Sequence, residues 1–256
     1  MAGHAVQTAP LVELALRMGD NCLILGHRNS EWCGHSPALE EDIALANMAL
    51  DLIGQTQLWL GLAAEAEGRG RSADDLAYLR DVPAFRNLLL VEQPNGDFGR
   101  TIMRQFLFDS WHLPMLRALQ GASDERVAEI AEKASKEVAY HLERSGDLVI
   151  RLGDGTEESH RRMQAALDLL WSYAGEMFAG DARDAEIAAA GLAPEPDSLR
   201  PVWRSHVEAV LAEATLAVPQ NDYAQKGGKS GRHSEHLGFI LAEMQFLQRA
   251  YPGAAW

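Results

Sequence analysis

The chain has 256 residues, of which 47% are hydrophobic, so it can form a globular protein with a substantial core. Its 37 acidic and 23 basic side chains give a formal net charge of −14 at pH 7, which repels nucleic acid and anionic membranes. We therefore expect neither nucleic acid nor a membrane as a partner.

Apolar residues recur at three- and four-residue intervals along most of the chain, which predicts an all-α fold. The predicted helices cover approximately residues 10–33, 37–67, 98–119, 124–152, 157–179, 199–217 and 232–250. Segments rich in Gly and Pro separate them, and the longer connection from about residue 68 to 95 is typical of a crossover between two helical hairpins. No fixed-period repeat appears, so we expect a single domain, residues 1–256.

The second predicted helix has the clearest pattern. One apolar face contains Leu39, Ile43, Ala46, Leu50, Ile53, Gln57 and Leu60, and a second contains Leu45, Ala49, Leu52, Thr56 and Trp59. Ser36 is placed to cap the helix, and Pro37 suits its first position. Two apolar faces predict a central helix that is buried on more than one side.

The cysteines and the N-terminal segment indicate an intracellular protein. Cys22 and Cys33 form no CxxC pattern, so we expect free thiols instead of a disulfide or a zinc site. The first residues have no basic stretch and include Glu13 and Asp20, unlike a signal peptide. No uninterrupted apolar run reaches the roughly 18 residues that span a membrane. We expect a cytoplasmic protein.

Acidic and histidine residues on the helices raise the question of a di-iron site. Asp109 and His112 are three residues apart, and Glu137 and His141 are four apart, so each pair can share a helix face. A di-iron bundle takes one Glu from each of two helices and a Glu-x-x-His motif from each of the other two. Pairs with such spacing are also common on helices, and a hydrogen-bonded core pair or a solvated face is the plainer interpretation.

The ligand pattern is incomplete. Asp51 could face inward on the second helix, but Gly54 follows it at the position where an imidazole is needed. Tyr140 stands at the corresponding position after Glu137, and a phenol replaces a neutral nitrogen donor poorly. Ligand counting therefore predicts that this chain does not assemble a complete di-iron centre.

The C-terminal segment "QKGGKSGRH" places three cations, Lys226, Lys229 and Arg232, among glycines. It lacks the residue order of a phosphate-binding loop, so a contact with a partner or an anion is the remaining functional interpretation. His233 and His236 in "HSEH" could form a metal clip, although the start of a helix is the plainer account.

Several segments together resemble the PaaC family. They include "LGHRNSEWCGHSPALEEDIALANMALDLIGQ", "RQFLFDSWH", "KEVAYHL", "RLGDGTEESHRRMQAALDLLW" and "GGKSGRHSEHLGFILAEMQFLQRAYPGAAW". The similarity extends from about residue 18 to the C-terminus. PaaC proteins are subunits of the bacterial phenylacetyl-CoA epoxidase, a multicomponent, NADPH-dependent monooxygenase of aerobic phenylacetate degradation.

The resemblance implies a ferritin-like helical bundle with a crossover connection and additional C-terminal helices. It also implies a non-catalytic structural subunit without a cofactor, which pairs with the di-iron catalytic subunit PaaA; PaaB and the reductase PaaE complete the complex. On this interpretation the vestigial metal-site positions are Asp51, Gly54, Asp109, Glu137 and Tyr140. Basic or hydroxyl groups must then replace the metal beside the carboxylates, and Arg104, Lys136, Tyr140 and His141 are the nearby candidates in sequence.

Two alternatives stay open. One is a degenerate but active di-iron oxygenase that uses Asp51, Asp109, His112, Glu137 and His141. The other is an acyl-CoA binding module that uses Lys226, Lys229 and Arg232. Self-association of the chain is also left open.

Overall fold

The computed structural model describes residues 2–221 and 223–254, with side chains from residue 8 onward. Its α-helices are α1 (Ala2–Ser30), α2 (Leu39–Glu67), α3 (Ala73–Tyr78), α4 (Leu89–Glu92), α5 (Phe98–Leu119), α6 (Glu125–Gly153), α7 (Glu157–Ala174), α8 (Ala182–Ala189), α9 (Arg200–Glu213), α10 (Glu235–Met244) and α11 (Phe246–Ala250). Short 3₁₀ helices cover Val82–Ala84, Gly175–Phe178, Pro196–Leu199 and Gly228–Ser230. No strand occurs among the residues described, which confirms the all-α prediction.

The chain divides into two compact units, one formed by residues up to 94 together with those from 227 onward, and the other by residues 95–226. Both units are helical. The prediction of a single domain stays a prediction.

The first unit is built on the pair α1 and α2, which run antiparallel. Gly19 allows the close approach, since a Cβ atom there would lie 2.7 Å from the side chain of Leu60. The predicted crossover, residues 68–95, returns along α1 and includes α3 and α4. Asp20 holds it by accepting hydrogen bonds from the buried guanidinium of Arg80 and from the backbone N–H of Arg86, and Asn21 accepts from the backbone of Leu88 at 2.8 Å.

The start and the inner face of α2 differ from the sequence-based expectation. The helix begins at Leu39 with Ala38 as its N-cap, so Ser36 and Pro37 lie outside it. Asp42 instead accepts from the backbone of Gly34 and draws the preceding loop onto the helix. The second apolar face is buried, whereas Leu39, Ile43 and Leu50 of the first face are exposed. Leu60 of the first face is buried, so the prediction of burial on more than one side fails for the N-terminal part of the helix.

The second unit is built on α5, which contacts α6, α7 and α9. Its N-terminus is capped by Asp97, which accepts from the backbone of Arg100 at 2.9 Å. The strongly amphipathic α6 presents Val127, Ala131, Ala134 and Val138 inward, at the spacing expected of one helix face. α5 is thus the helix around which the core of this unit forms.

The predicted C-terminal helix is interrupted. Ser234 is the N-cap of α10, and Gln245 separates α10 from α11. The amide of Gln245 donates to the backbone oxygens of Ala77 and Arg80 at 3.0 and 2.9 Å, so this residue attaches the C-terminal helices to the crossover.

Two further sequence-based expectations concern thiols and membranes. Cys22 is buried and Cys33 is exposed, and both are free thiols, as predicted. Along the described part of the chain, no helix combines the length and the apolar character that a membrane crossing requires.

Candidate functional site

A buried polar cluster lies in the core of the second unit and is centred on Asp109 of α5. Asp109 is fully buried, and its two carboxyl oxygens have different partners. The amide of Gln105, one turn earlier, donates to Oδ1 at 2.7 Å, and the hydroxyl of Ser145 on α6 donates to Oδ2 at 3.1 Å. The cluster therefore joins α5 to α6 through a carboxyl group.

Burial sets the protonation of this cluster. It raises the pKa of Asp109 from 3.8 to about 7, because removal from water penalises the charged carboxylate more than the attraction of His141 and the hydrogen bonds from Gln105 and Ser145 favour it. Burial and the repulsion of His141 also lower the pKa of His112 to about 3. His112 is therefore neutral at pH 7.

His112 behaves as an aromatic core residue. Its ring centroid lies 4.9 Å from that of Phe108, and its ring stacks on Trp111 at 6.1 Å. Neither ring nitrogen has a hydrogen-bond partner among the residues that the structure describes. Although His112 is three residues from Asp109 in sequence, the carboxyl oxygens of Asp109 are bonded to Gln105 and Ser145.

On α6, the residues that reach the cluster are His141 and Ser145, both buried. Glu137 is half-buried, and Tyr140, at the position of the imidazole in a Glu-x-x-His motif, is 52% exposed and lies away from the core face. His141 is one residue, about 100°, further round the helix than Tyr140. The pattern of Val127, Ala131, Ala134 and Val138 predicts this face, because its three- and four-residue spacing continues to His141 and Ser145.

The other basic candidates have partners of their own. Arg104 is fully buried and donates to Oδ1 of Asn95 at 2.7 Å. Lys136 is exposed and pairs with Glu132 at 3.1 Å. Of the four candidates for neutralising Asp109, the structure thus brings only His141 near it.

The positions on α2 belong to the first unit. Asp51 is half-buried, and a Cβ atom built on Gly54 would meet no heavy atom within 4 Å. Within the described residues, no group of three or more His, Cys, Asp or Glu side chains has an arrangement that could hold a metal ion. The groups around Asp109 are an amide, a hydroxyl and the imidazole of His141, so one carboxyl group and one imidazole stand where a di-iron bundle has several carboxylates and two imidazoles.

The C-terminal basic segment is firmly packed in its middle and exposed at its ends. Lys226 and Arg232 are exposed, and Lys229 is half-buried within the 3₁₀ helix Gly228–Ser230. A Cβ atom at Gly228 would lie 2.1 Å from the backbone oxygen of Asn87, so this glycine is required for close approach. The role of the three cations in contacting a partner or CoA stays a prediction.

His233, which follows this segment, belongs to a buried network that the sequence did not reveal. Its Nδ1 lies 2.9 Å from Oε2 of Glu92, and its Nε2 lies 3.1 Å from the backbone oxygen of Phe85. Glu92 also accepts hydrogen bonds from the amide of Asn87 and the backbone N–H of Ser234. His233 therefore attaches the basic segment to α4 within the first unit.

Comparison with known proteins complements this geometry. The sequence profile of the family described as "Phenylacetic acid catabolic protein" matches residues 2–256. The chain is also similar to a protein of Escherichia coli (strain K12) that is named as one of the subunits of 1,2-phenylacetyl-CoA epoxidase. The two are 49% identical over 246 residues, which cover 96% of this chain and 99% of that protein.

Proposed function

Since this chain belongs to the family of phenylacetic acid catabolic proteins, we propose that it is a structural subunit of a phenylacetyl-CoA epoxidase. In this role it stabilises the catalytic subunit PaaA, which holds the di-iron centre, and performs no chemistry itself. PaaB and the reductase PaaE belong to the same complex. The all-α fold agrees with the ferritin-like helical bundle of the family.

The observation that carries the proposal is an exposed apolar face on α2, which we call the α2 stripe: Leu39, Ile43, Leu50, Gly54 and Gly61. Leu39 is 72% exposed, Ile43 53% and Leu50 69%. At 100° per residue these positions fall on one side of the helix, and a Cβ atom at either glycine would meet nothing within 4 Å. Single exposed leucines are ordinary, but an aligned set indicates a surface for another protein.

The energy available from the α2 stripe is sufficient to matter for assembly. Fully burying a Leu or Ile side chain contributes about 1.5–3 kcal/mol, so covering three of them contributes several kcal/mol before the cost of association. The glycines leave room for a partner helix to approach the backbone closely. These features support a helical partner such as PaaA.

The Asp109 cluster supports the non-catalytic part of the proposal. A carboxylate ligand of iron must be ionised and must offer oxygen lone pairs to the metal. Here burial raises the pKa of Asp109 to about 7, and Gln105 and Ser145 each donate to one of its oxygens. The cluster is suited to joining α5 and α6 rather than to holding a metal.

Co-expression with PaaA tests the role and the surface together. The double variant Ile43→Asp, Leu50→Asp should lose the PaaA complex on gel filtration and keep the melting temperature of the isolated chain, because these side chains are exposed in it. Leu169→Asp, at a 43% exposed apolar position on α7, is the matched control and should assemble normally. Normal assembly of the α2 variant would refute the role of the stripe. Failure of the wild-type chain to bind PaaA would refute the subunit role itself.

Iron loading tests the non-catalytic role separately. After anaerobic loading and desalting, elemental analysis of the isolated chain should find far less than one iron per chain. Two tightly bound irons, with the visible absorption of an oxo-bridged centre, would favour the alternative of an active di-iron oxygenase.

A further inference from the structure

A cleft of about 270 Å³ lies within the second unit, beside the C-terminal end of α7 and the N-terminal end of α9. Ala224 and Gln225, which follow α9, close one side of it. The backbone N–H of Gln225 donates to the backbone oxygen of Ser172 at 2.7 Å, and a Cβ atom at Gly175 would lie only 2.5 Å from Ala224. The wall of the cleft is therefore packed directly against α7 and the turn after it.

The interior of the cleft is aromatic and held in place. The ring centroid of Trp203 lies 5.6 Å from that of Trp171 and 5.2 Å from that of Phe178. The indole N–H of Trp203 donates to the backbone oxygen of Leu107 at 3.1 Å, which fixes its orientation. Tyr223, which also lines the cleft, is 67% exposed and offers an accessible ring. Trp203 and Phe178 are 5% and 2% exposed, so Tyr223 offers the accessible face on which a planar heterocycle can stack.

Three cations line the same cleft, on a chain with a strong negative net charge. Arg200 and Arg204 each donate through Nε to a carboxylate on their own stretch of chain, Asp197 and Glu208, both at 2.6 Å. Their terminal N–H groups have no acceptor among the described residues, and Lys226 has no ion pair within that part of the chain. Among the described residues, these three cations and their two paired carboxylates leave one excess positive charge, that of Lys226, beside the aromatic rings.

We infer that this cleft binds the purine and phosphate end of an adenine nucleotide, with the base against Tyr223 and a phosphate at Lys226 and the arginines. Its volume is below the roughly 300–1,000 Å³ of sites for whole drug-sized ligands, so it accommodates one ring system rather than a complete cofactor. The adenosine bisphosphate end of coenzyme A and a free nucleotide such as ADP share this chemistry. The inference does not depend on the proposed subunit role, since the cleft belongs to this chain alone.

Tryptophan fluorescence of the isolated full-length chain provides the assay, because Trp171 and Trp203 lie in the cleft. The probes are adenosine 3′,5′-bisphosphate, coenzyme A, ADP, adenosine and inorganic phosphate. Saturable quenching by the nucleotides, at lower concentration than by adenosine or phosphate, is the expected result. Tighter binding of coenzyme A and the bisphosphate than of ADP identifies coenzyme A as the source, and tighter binding of ADP identifies a free nucleotide.

Substitutions locate the site. Lys226→Gln and Tyr223→Ser should each weaken binding about tenfold, since a charge-assisted contact or a stacked base contributes roughly 1–3 kcal/mol. Arg232→Gln, an exposed cation of the same sequence segment that does not line the cleft, should leave binding unchanged. The inference is overturned if no nucleotide binds at millimolar concentration, if adenosine or phosphate alone binds as tightly, or if both cleft variants bind as the wild type does.

Discussion

Replacing Asp109 by Asn should make the chain more stable at neutral pH than the wild type. Asn is nearly isosteric, its side-chain oxygen can still accept from Gln105, and its amide can donate to the hydroxyl of Ser145. The variant therefore keeps the connection between α5 and α6, and it removes a carboxyl group whose ionisation burial opposes.

The sign follows from the two pKa values of Asp109. The folded pKa, about 7, lies above the unfolded value of 3.8, so the folded state binds this proton more tightly. Below the unfolded pKa the carboxyl group is protonated in both states, so its burial does not lower the free energy of unfolding through ionisation. As pH rises from about 4 to about 7 the unfolded state ionises first, and the stability of the wild type falls. Each unit of difference between the folded and unfolded pKa corresponds to about 1.36 kcal/mol. The loss in the free energy of unfolding of the wild type is therefore on the order of 4 kcal/mol above pH 7.

Urea unfolding followed by circular dichroism measures the effect. The stability gained by Asp109→Asn should increase by about 2 to 3 kcal/mol between about pH 5 and pH 8. Asp147→Asn is the control, since that carboxylate lies on α6 and is 62% exposed, and its effect should vary little with pH. Below about pH 4, where the carboxyl group is protonated in both states, Asp109→Ala should instead destabilise by about 1–3 kcal/mol, because Gln105 and Ser145 lose their acceptor. A gain for Asp109→Asn that is the same at every pH would refute the reasoning.

Two further predictions concern the attachment of the C-terminal segment. Gly228→Ala should lower the free energy of unfolding in urea by about 1–3 kcal/mol, because its Cβ would lie 2.1 Å from the backbone oxygen of Asn87. Gly180→Ala is the control and should be near neutral, since a Cβ there meets no atom within 4 Å. Equal stability of the two variants would contradict the close packing at Gly228. His233→Ala should cost about 1.5–3 kcal/mol, since it removes a buried hydrogen bond to the carboxylate of Glu92, which keeps Asn87 and Ser234 as donors; calorimetry that finds the variant as stable as the wild type would show that the pair is dispensable.

The sequence located most long helices correctly because their signals are local. Asp97 and Asp124 cap α5 and α6, and the apolar spacing of α6 continues over most of its length. The same spacing distinguishes the buried His141 from the exposed Tyr140, although comparison with a ligand motif directed attention to the latter. Resemblance to a family located the motif positions but could not show which side of the helix they occupy.

What periodicity could not decide was which apolar face of α2 packs within the chain. Leu45, Leu52 and Trp59 on one face and Leu39 and Leu50 on the other are equally hydrophobic, and contact with α1 selects the first set.

Pairings between distant residues were equally out of reach. His233 and Glu92 are separated by 141 positions, and Asp20 and Arg80 by 60. Helical periodicity and capping depend on neighbours within a turn or two, so the sequence by itself determined the helices and the classes of side chain they carry. Which faces are covered, and how burial shifts the pKa of Asp109, depends on atoms that only the tertiary structure brings together.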